Sequence, residues 1–274
     1  MLLGDPRSPS HATATGPAPT YAEYLNLDQL LSVQFTRSDV ADEPLFIALH
    51  QICELWFKQL LHECRGLQER LTAADLGQSV RLSRRILAIW SVIVSQFDVL
   101  ETMPPGQFAR LRPHLGTASA FESAQFRELE AVLGRRDAAV AVRYPPDSAA
   151  RQRIAAAMAR PSLYDSLLTM LAALGYLIPE RRLHRDVTRP VEPDAELEST
   201  FEKVYADDGT AAVLCELFTD LDELVQLWRY RHAKAVERII GGKRGTAGSS
   251  GVGYLRTTLH QPAFPELWTF RSQR

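Results

Sequence analysis

Apolar residues recur along this chain at alternating steps of three and four. From about Asp42 to Leu71 one stripe runs Phe46, His50, Cys53, Phe57, Leu60, Cys64, Leu67 and Leu71, which is one face of a helix. Leu45, Leu49, Ile52 and Trp56 make a second stripe beside it, so burial on more than one side is expected. Asp42, Glu43 and Pro44 supply an N-cap, a first-turn acid and a first-turn proline. A second helix is expected from about Ser79 to Met103, stopped by Pro104 and Pro105. A third starts near Ser119, where Ser119 to Glu122 has capping-box spacing, and ends before Gly134. Two shorter helices are predicted over residues 148–158 and 162–174. Residues 178–193, rich in proline and arginine, read as a connection. The last long helix spans about Thr210 to Ile240, with Leu214, Leu217, Leu221, Leu224, Trp228, His232, Ala235 and Ile239 on one face. A Gly/Ser-dense loop (241–253) and a short apolar piece (262–270) follow. There is no alternating strand pattern of useful length, so the pattern predicts an all-α, single-domain helical bundle.

Composition narrows the class more than the fold. A chain of 274 residues is long enough for one large domain with a full core. The first twenty residues are rich in Pro, Ser, Thr and Ala and lack a basic segment followed by an apolar one. They read as a disordered tail and not a signal peptide, leaving 21–274 as the folded domain. The net charge of −2 supplies no field to draw nucleic acid or an anionic membrane. No window is long and apolar enough for a transmembrane helix. Three cysteines, Cys53, Cys64 and Cys215, make no disulfide framework. They suit a reducing cytoplasm, with each thiol packed as a small core residue.

Few side chains stand out as chemistry. His50 and His232 both fall on apolar stripes, where a polar ring needs a partner. A core histidine bonded to a carbonyl satisfies that need. So does a haem bundle with one axial and one distal histidine, and periodicity leaves both open. Arg112 follows the amphipathic piece Phe108 to Leu111. It is either a surface arginine or a bidentate clamp for a carboxylate. The loop GTAGSSG (245–251) is either a linker or a backbone cradle closing on a ligand. It lacks the spacing of a phosphate loop. The acidic pair Asp220 and Glu223 reads as a solvated helix surface.

Ordered motifs add what periodicity cannot. YAEYL (21–25), LFIALHQICELWFKQLLHE (45–63), LETM (100–103), FARLRPHLGTASAFESAQFRELE (108–130), WRYRHAKAVERIIG (228–241), GTAGSSGVGYLR (245–256) and FPEL (264–267) together resemble the tryptophan 2,3-dioxygenase family. The resemblance implies a haem-dependent oxygenase of the kynurenine pathway that uses haem b in its ferrous form and O2. It implies insertion of both oxygen atoms across the indole C2=C3 bond of L-tryptophan, giving N-formylkynurenine. By resemblance, His232 is the proximal haem ligand and His50 the distal residue that accepts from the indole N–H. Arg112 is the substrate carboxylate clamp, Thr246 the partner of the substrate ammonium, and Ser119 the distal serine beside the dioxygen site. Phe46 and Phe108 wall the indole pocket. Tyr21, Tyr24 and Leu25 match a segment that closes a neighbouring subunit's pocket, which implies a homotetramer.

Two positions depart from the family pattern. Ala120 follows Ser119 where the family has glycine, and Ala247 stands for the middle glycine of the loop. If either backbone needed a positive φ, alanine would cost on the order of 1 kcal/mol. These departures leave a second reading open, in which a relative in secondary metabolism monooxygenates a substituted tryptophan, such as a β-methyl one, to a 2-oxindole or hydroxyindole. A third reading, a haem or indole sensor without turnover, is disfavoured by the presence of His50, Arg112, Thr246 and His232 together.

Overall fold

The structure is a computed structural model, and it describes residues 18–245 and 250–273. Among these residues every regular element is helical. In chain order the α-helices are α1 (Tyr21–Leu25), α2 (Leu27–Leu30), α3 (Glu43–Thr72), α4 (Leu76–Leu100), α5 (Pro105–Leu115), α6 (Ala124–Val132) and α7 (Ala138–Ala141). They continue with α8 (Ala149–Met158), α9 (Leu163–Ala173), α10 (Glu180–Leu183), α11 (Ala195–Ala206), α12 (Thr210–Ile240), α13 (Val252–Thr257) and α14 (Glu266–Thr269). No single described helix is long and apolar enough to cross a membrane.

The described residues form two compact units that divide between Phe35 and Thr36. In the first, α1 opens with a capping box. The Thr20 hydroxyl accepts from the Glu23 N–H at 3.3 Å, and the Glu23 carboxylate accepts from the Thr20 N–H at 2.8 Å. Asn26 ends α1 in the left-handed region, a conformation that Asn tolerates better than most residues.

The second unit is built on α3, α4 and α12, with α4 packed against both of the others and α9 against α3. The predicted stripes meet there. Leu60, Cys64, Leu67 and Leu71 of α3 join Ile86, Trp90 and Ile93 of α4 and Leu214, Phe218, Leu221 and Val225 of α12 in one core. Burial of these side chains is the main favourable contribution to folding, about 1.5–3 kcal/mol for each large one.

Several element ends differ from the sequence expectation, each for a local reason. Asp42 holds the N-cap position of α3, but its side chain caps nothing. Glu43 is the buried acid instead. It accepts from the Ser38 hydroxyl at 2.6 Å and from the N–H groups of Arg37 and Ser38. α4 starts three residues early because Asp75 caps it, accepting from the Gln78 N–H at 3.1 Å. It also ends at Leu100, before the predicted stop. Pro105 then opens α5, which leaves at 105° to α4. Ser119 starts only one 3-10 turn, Ala120–Glu122, and Ser123 caps α6 by accepting from the Phe126 N–H. Gly134 follows α6 at φ +115°, as its C′ role required. The second stripe of α3 is only partly covered, since Ile52 is exposed. Helix α11 lies outside the sequence expectation, although Asp194 caps it and Leu197, Phe201 and Val204 are buried along it.

Two buried carboxylates pin the C-terminal segment. Asp222 on α12 accepts from the N–H groups of Ala263 (2.9 Å) and Phe264 (3.1 Å) and from the Trp268 indole (3.0 Å). Glu266 accepts from the Tyr164 hydroxyl at 2.7 Å and pairs with Arg182.

Candidate active site

One cavity of about 240 Å³ opens in the second unit among α3, α4, α5, α12 and the segments that follow. Most of its exposed lining is apolar and aromatic, with Gln96, Arg112, His50 and His232 among the polar groups and a charged cluster at one edge. Such composition suits a flat organic ligand.

Helix α3 supplies one wall. Phe46, His50, Cys53 and Phe57 face the cavity at steps of four, three and four. The His50 Nδ1 lies 2.7 Å from the Phe46 carbonyl oxygen. A carbonyl can only accept, so Nδ1 carries the proton and Nε2 is left as an acceptor. Burial lowers the His50 pKa from 6.5, against the opposing pull of the Phe46 carbonyl and the Glu54 charge. The neutral ring is therefore the form present near neutral pH. The Phe46 ring packs on His50 at 4.2 Å between centroids and faces Phe108 at 5.9 Å.

Helix α5 exists because Pro105 can open a helix, where its missing N–H is not needed. Phe108 and Arg112 sit one turn apart on it, and both line the cavity. The Arg112 guanidinium donates to the Arg244 carbonyl, which ties the clamp candidate to the start of the Gly/Ser loop. At the far side of that loop Gly251 has φ +62°, and a Cβ there would lie 2.6 Å from the Lys243 carbonyl oxygen. Only glycine fits that neck.

Helix α12 supplies the opposite histidine. His232 lines the cavity together with Trp228 and Val236. Its rings of contact are aromatic: Trp228 at 5.0 Å and Phe97 at 6.2 Å between centroids. Burial, and then the charges of His50 and Arg127, push the His232 pKa down to about 4. The ring is neutral and a free nitrogen lone pair is available, as an axial ligand must be. Among the described residues neither ring nitrogen has a hydrogen-bond partner. No group of three or more His, Cys, Asp or Glu among those residues is placed to hold a bare metal ion. A non-haem iron needs several such ligands, whereas one imidazole suffices for haem. The donor set and the apolar lining thus fit haem.

Ser119 and Ala120 also line the cavity. The Ser119 hydroxyl accepts from the Phe121 N–H at 3.3 Å. Ala120 is not among the residues with positive φ, so its methyl group brings no backbone strain at this departure. Thr246 and Ala247 lie outside the described residues. Tyr21, Tyr24 and Leu25 belong to the first unit, where each side chain is exposed.

Other lining residues were not expected at the site from the sequence. Cys53, expected as a core thiol, is half-buried: it packs against the core and also lines the cavity. It donates to the Gln96 amide oxygen at 2.9 Å, and burial pushes its thiol up to about 11. Cys64 and Cys215 are buried core thiols, as expected. Arg127, Glu130 and Arg229 form a buried ion cluster at the cavity edge. Glu130 accepts from Arg127 at 2.6 Å and from Arg229 at 3.3 Å. The i,i+3 pair Arg127 and Glu130 amid apolar residues was the available signal. Arg229 was hidden in plain view inside WRYRH.

Comparison with known proteins gives a consistent result. The model of the family described as tryptophan 2,3-dioxygenase matches residues 7–173 and 189–274. The chain is 52% identical over 260 residues to the tryptophan 2,3-dioxygenase of Anaeromyxobacter sp. (strain K), covering 94% of this chain and 97% of that protein. It is 46% identical over 255 residues to that of Herpetosiphon aurantiacus, covering 92% and 97%. With that of Caulobacter vibrioides it shares 40% identity over 257 residues, covering 93% and 98%.

Proposed function

The chain belongs to the tryptophan 2,3-dioxygenase family, and on that premise we propose that it oxidises L-tryptophan with dioxygen to N-formylkynurenine. The observation that carries the reading is the pairing of two neutral histidines, His50 and His232, on one apolar cavity.

His232 would hold the haem through its unshared nitrogen. Haem, when bound, supplies the iron chemistry that activates dioxygen. The chain's own residues orient the substrate. His50, with its proton fixed on Nδ1, offers Nε2 to the indole N–H. Arg112 offers a charged fork to the carboxylate, and a charge-assisted bond of this kind contributes about 1.5–3 kcal/mol. Thr246 is proposed as the ammonium partner, and Ser119 as the hydroxyl on the distal side. Phe46 and Phe108 flank the indole, with Ala120 beside them, and the apolar walls exclude water.

The N-terminal helix carrying Tyr21, Tyr24 and Leu25 is proposed to complete the pocket of a neighbouring copy in a homotetramer. Its two tyrosines are 76% and 78% exposed, a costly display for aromatic side chains on a lone chain. Residues 21–274 act as the functional unit in this reading. A reducing cytoplasm is the proposed location, in keeping with three unpaired cysteines.

The test is aerobic turnover of L-tryptophan by the haem-loaded, reduced protein. A formylated, ring-opened product supports the reading. Full haem loading with no consumption of tryptophan contradicts it.

A further inference from the structure

His232 lies inside a connected set of aromatic rings. The Trp228 indole, one turn earlier on α12, is tilted by 34° to the imidazole, and the Phe97 ring of α4 lies at only 26° to it. Trp228 also packs against Phe57, Trp90 and Phe126. Phe97 is buried, and the Arg231 guanidinium sits 5.8 Å from its ring centroid. Arg231 is itself held at the end of α4, 2.7 Å from Asp98 and 3.4 Å from Glu101. The charges beside Phe97 on α4 are thus linked to the imidazole through Arg231 and one phenyl ring.

A helical histidine has a well-defined first torsion, but the torsion that rotates its ring is broad. Something must fix the ring plane if the nitrogen lone pair is to point one way. Metal-binding histidines usually achieve this by donating their other N–H to a carboxylate or carbonyl. No such bond to His232 exists among the described residues, and flat aromatic surfaces adjoin the ring instead.

We propose that Phe97 is a positioning residue for His232: the phenyl ring, held by Arg231, sets the plane of the imidazole and so the aim of its lone pair. This rests on the reading of His232 as the axial haem ligand. Trp228 takes part, but its packing against Phe57, Trp90 and Phe126 in addition to Phe97 makes its substitution a change to the core as well.

The experiment uses the full chain loaded with haem and reduced, read by resonance Raman at the iron–histidine stretching band. Phe97→Leu keeps an apolar side chain and removes the flat ring. The expected result is a shifted and broadened band, with one haem still bound per chain. Phe97→Tyr, which restores a ring, should return the band to its wild-type position. An unchanged band in Phe97→Leu overturns the proposal. If Phe97→Leu does not fold, Arg231→Gln keeps the phenyl ring and removes the guanidinium beside it. A shift in that variant supports the proposal, and a wild-type band overturns it. Failure of the underlying reading looks different: the wild-type protein would show no iron–histidine band, or His232→Ala would keep it.

Discussion

The Nδ1–H of His50 donates to the carbonyl oxygen of Phe46, one turn earlier on the same helix, at 2.7 Å. This bond turns the other ring nitrogen into an acceptor facing the cavity. Acceptance by Nε2 ends when that nitrogen is protonated. Because burial lowers the His50 pKa below 6.5, the accepting form persists as pH falls through 6.5 and is lost only at lower pH. The kcat/KM for L-tryptophan should therefore stay level from about pH 8 through 6.5 and decline below it. His50→Ala should lose about 10-fold in kcat/KM and lack that acid limb. A decline centred at or above pH 6.5 would contradict the assignment.

Arg112 should matter for one end of the substrate only. Arg112→Ala is expected to raise KM for amino acid substrates by about 10- to 100-fold, the worth of a charge-assisted bond. Binding of indoles without a carboxylate should change little. Equal losses for both classes, measured by steady-state kinetics and by binding titration, would remove the clamp role.

His232→Ala should abolish the Soret band of bound haem while leaving the far-ultraviolet circular dichroism helical. Retention of haem at one per chain would refute the axial assignment.

The Gly251 neck gives a prediction about the loop. An alanine there meets the Lys243 carbonyl oxygen at 2.6 Å in a backbone of φ +62°. Gly251→Ala should lower kcat/KM by at least about 10-fold, since strain of 1–3 kcal/mol must be relieved by moving the loop. An unchanged kcat/KM would show that the neck does not shape the site.

Asp222→Ala leaves three donors of the C-terminal segment without their acceptor. With about 1–3 kcal/mol for each buried unsatisfied group, the expected loss is at least about 3 kcal/mol. A thermal melt should fall by roughly 10 °C. A fall of a degree or two would mean the segment is anchored elsewhere.

The long helices were legible because α3 and α12 keep one apolar face over thirty residues, and no short-range feature interrupts it. The extent of α12 was read to the residue, since Gly241 marks its end. Starts were harder. Asp75, Ser119 and Ser123 are all competent caps, and tertiary packing chose among them. The 119–122 spacing suggested one helix where Ser123 starts another. Helix α11 was passed over because its four-residue apolar spacing is short and follows a proline-rich connection. At the site, stripes placed His50 and His232 on inward faces, but pairing them across one cavity needed the packing of α3, α4 and α12. The Cys53–Gln96 contact and the joining of Arg229 to the Arg127–Glu130 pair were illegible, because only the fold brings residues so far apart in sequence together.

The most direct measurement is the mass of the product formed from L-tryptophan under ¹⁸O2 by the haem-loaded, reduced protein. The account predicts N-formylkynurenine carrying both labelled atoms. A product with an intact indole-derived ring and a single labelled atom would contradict it.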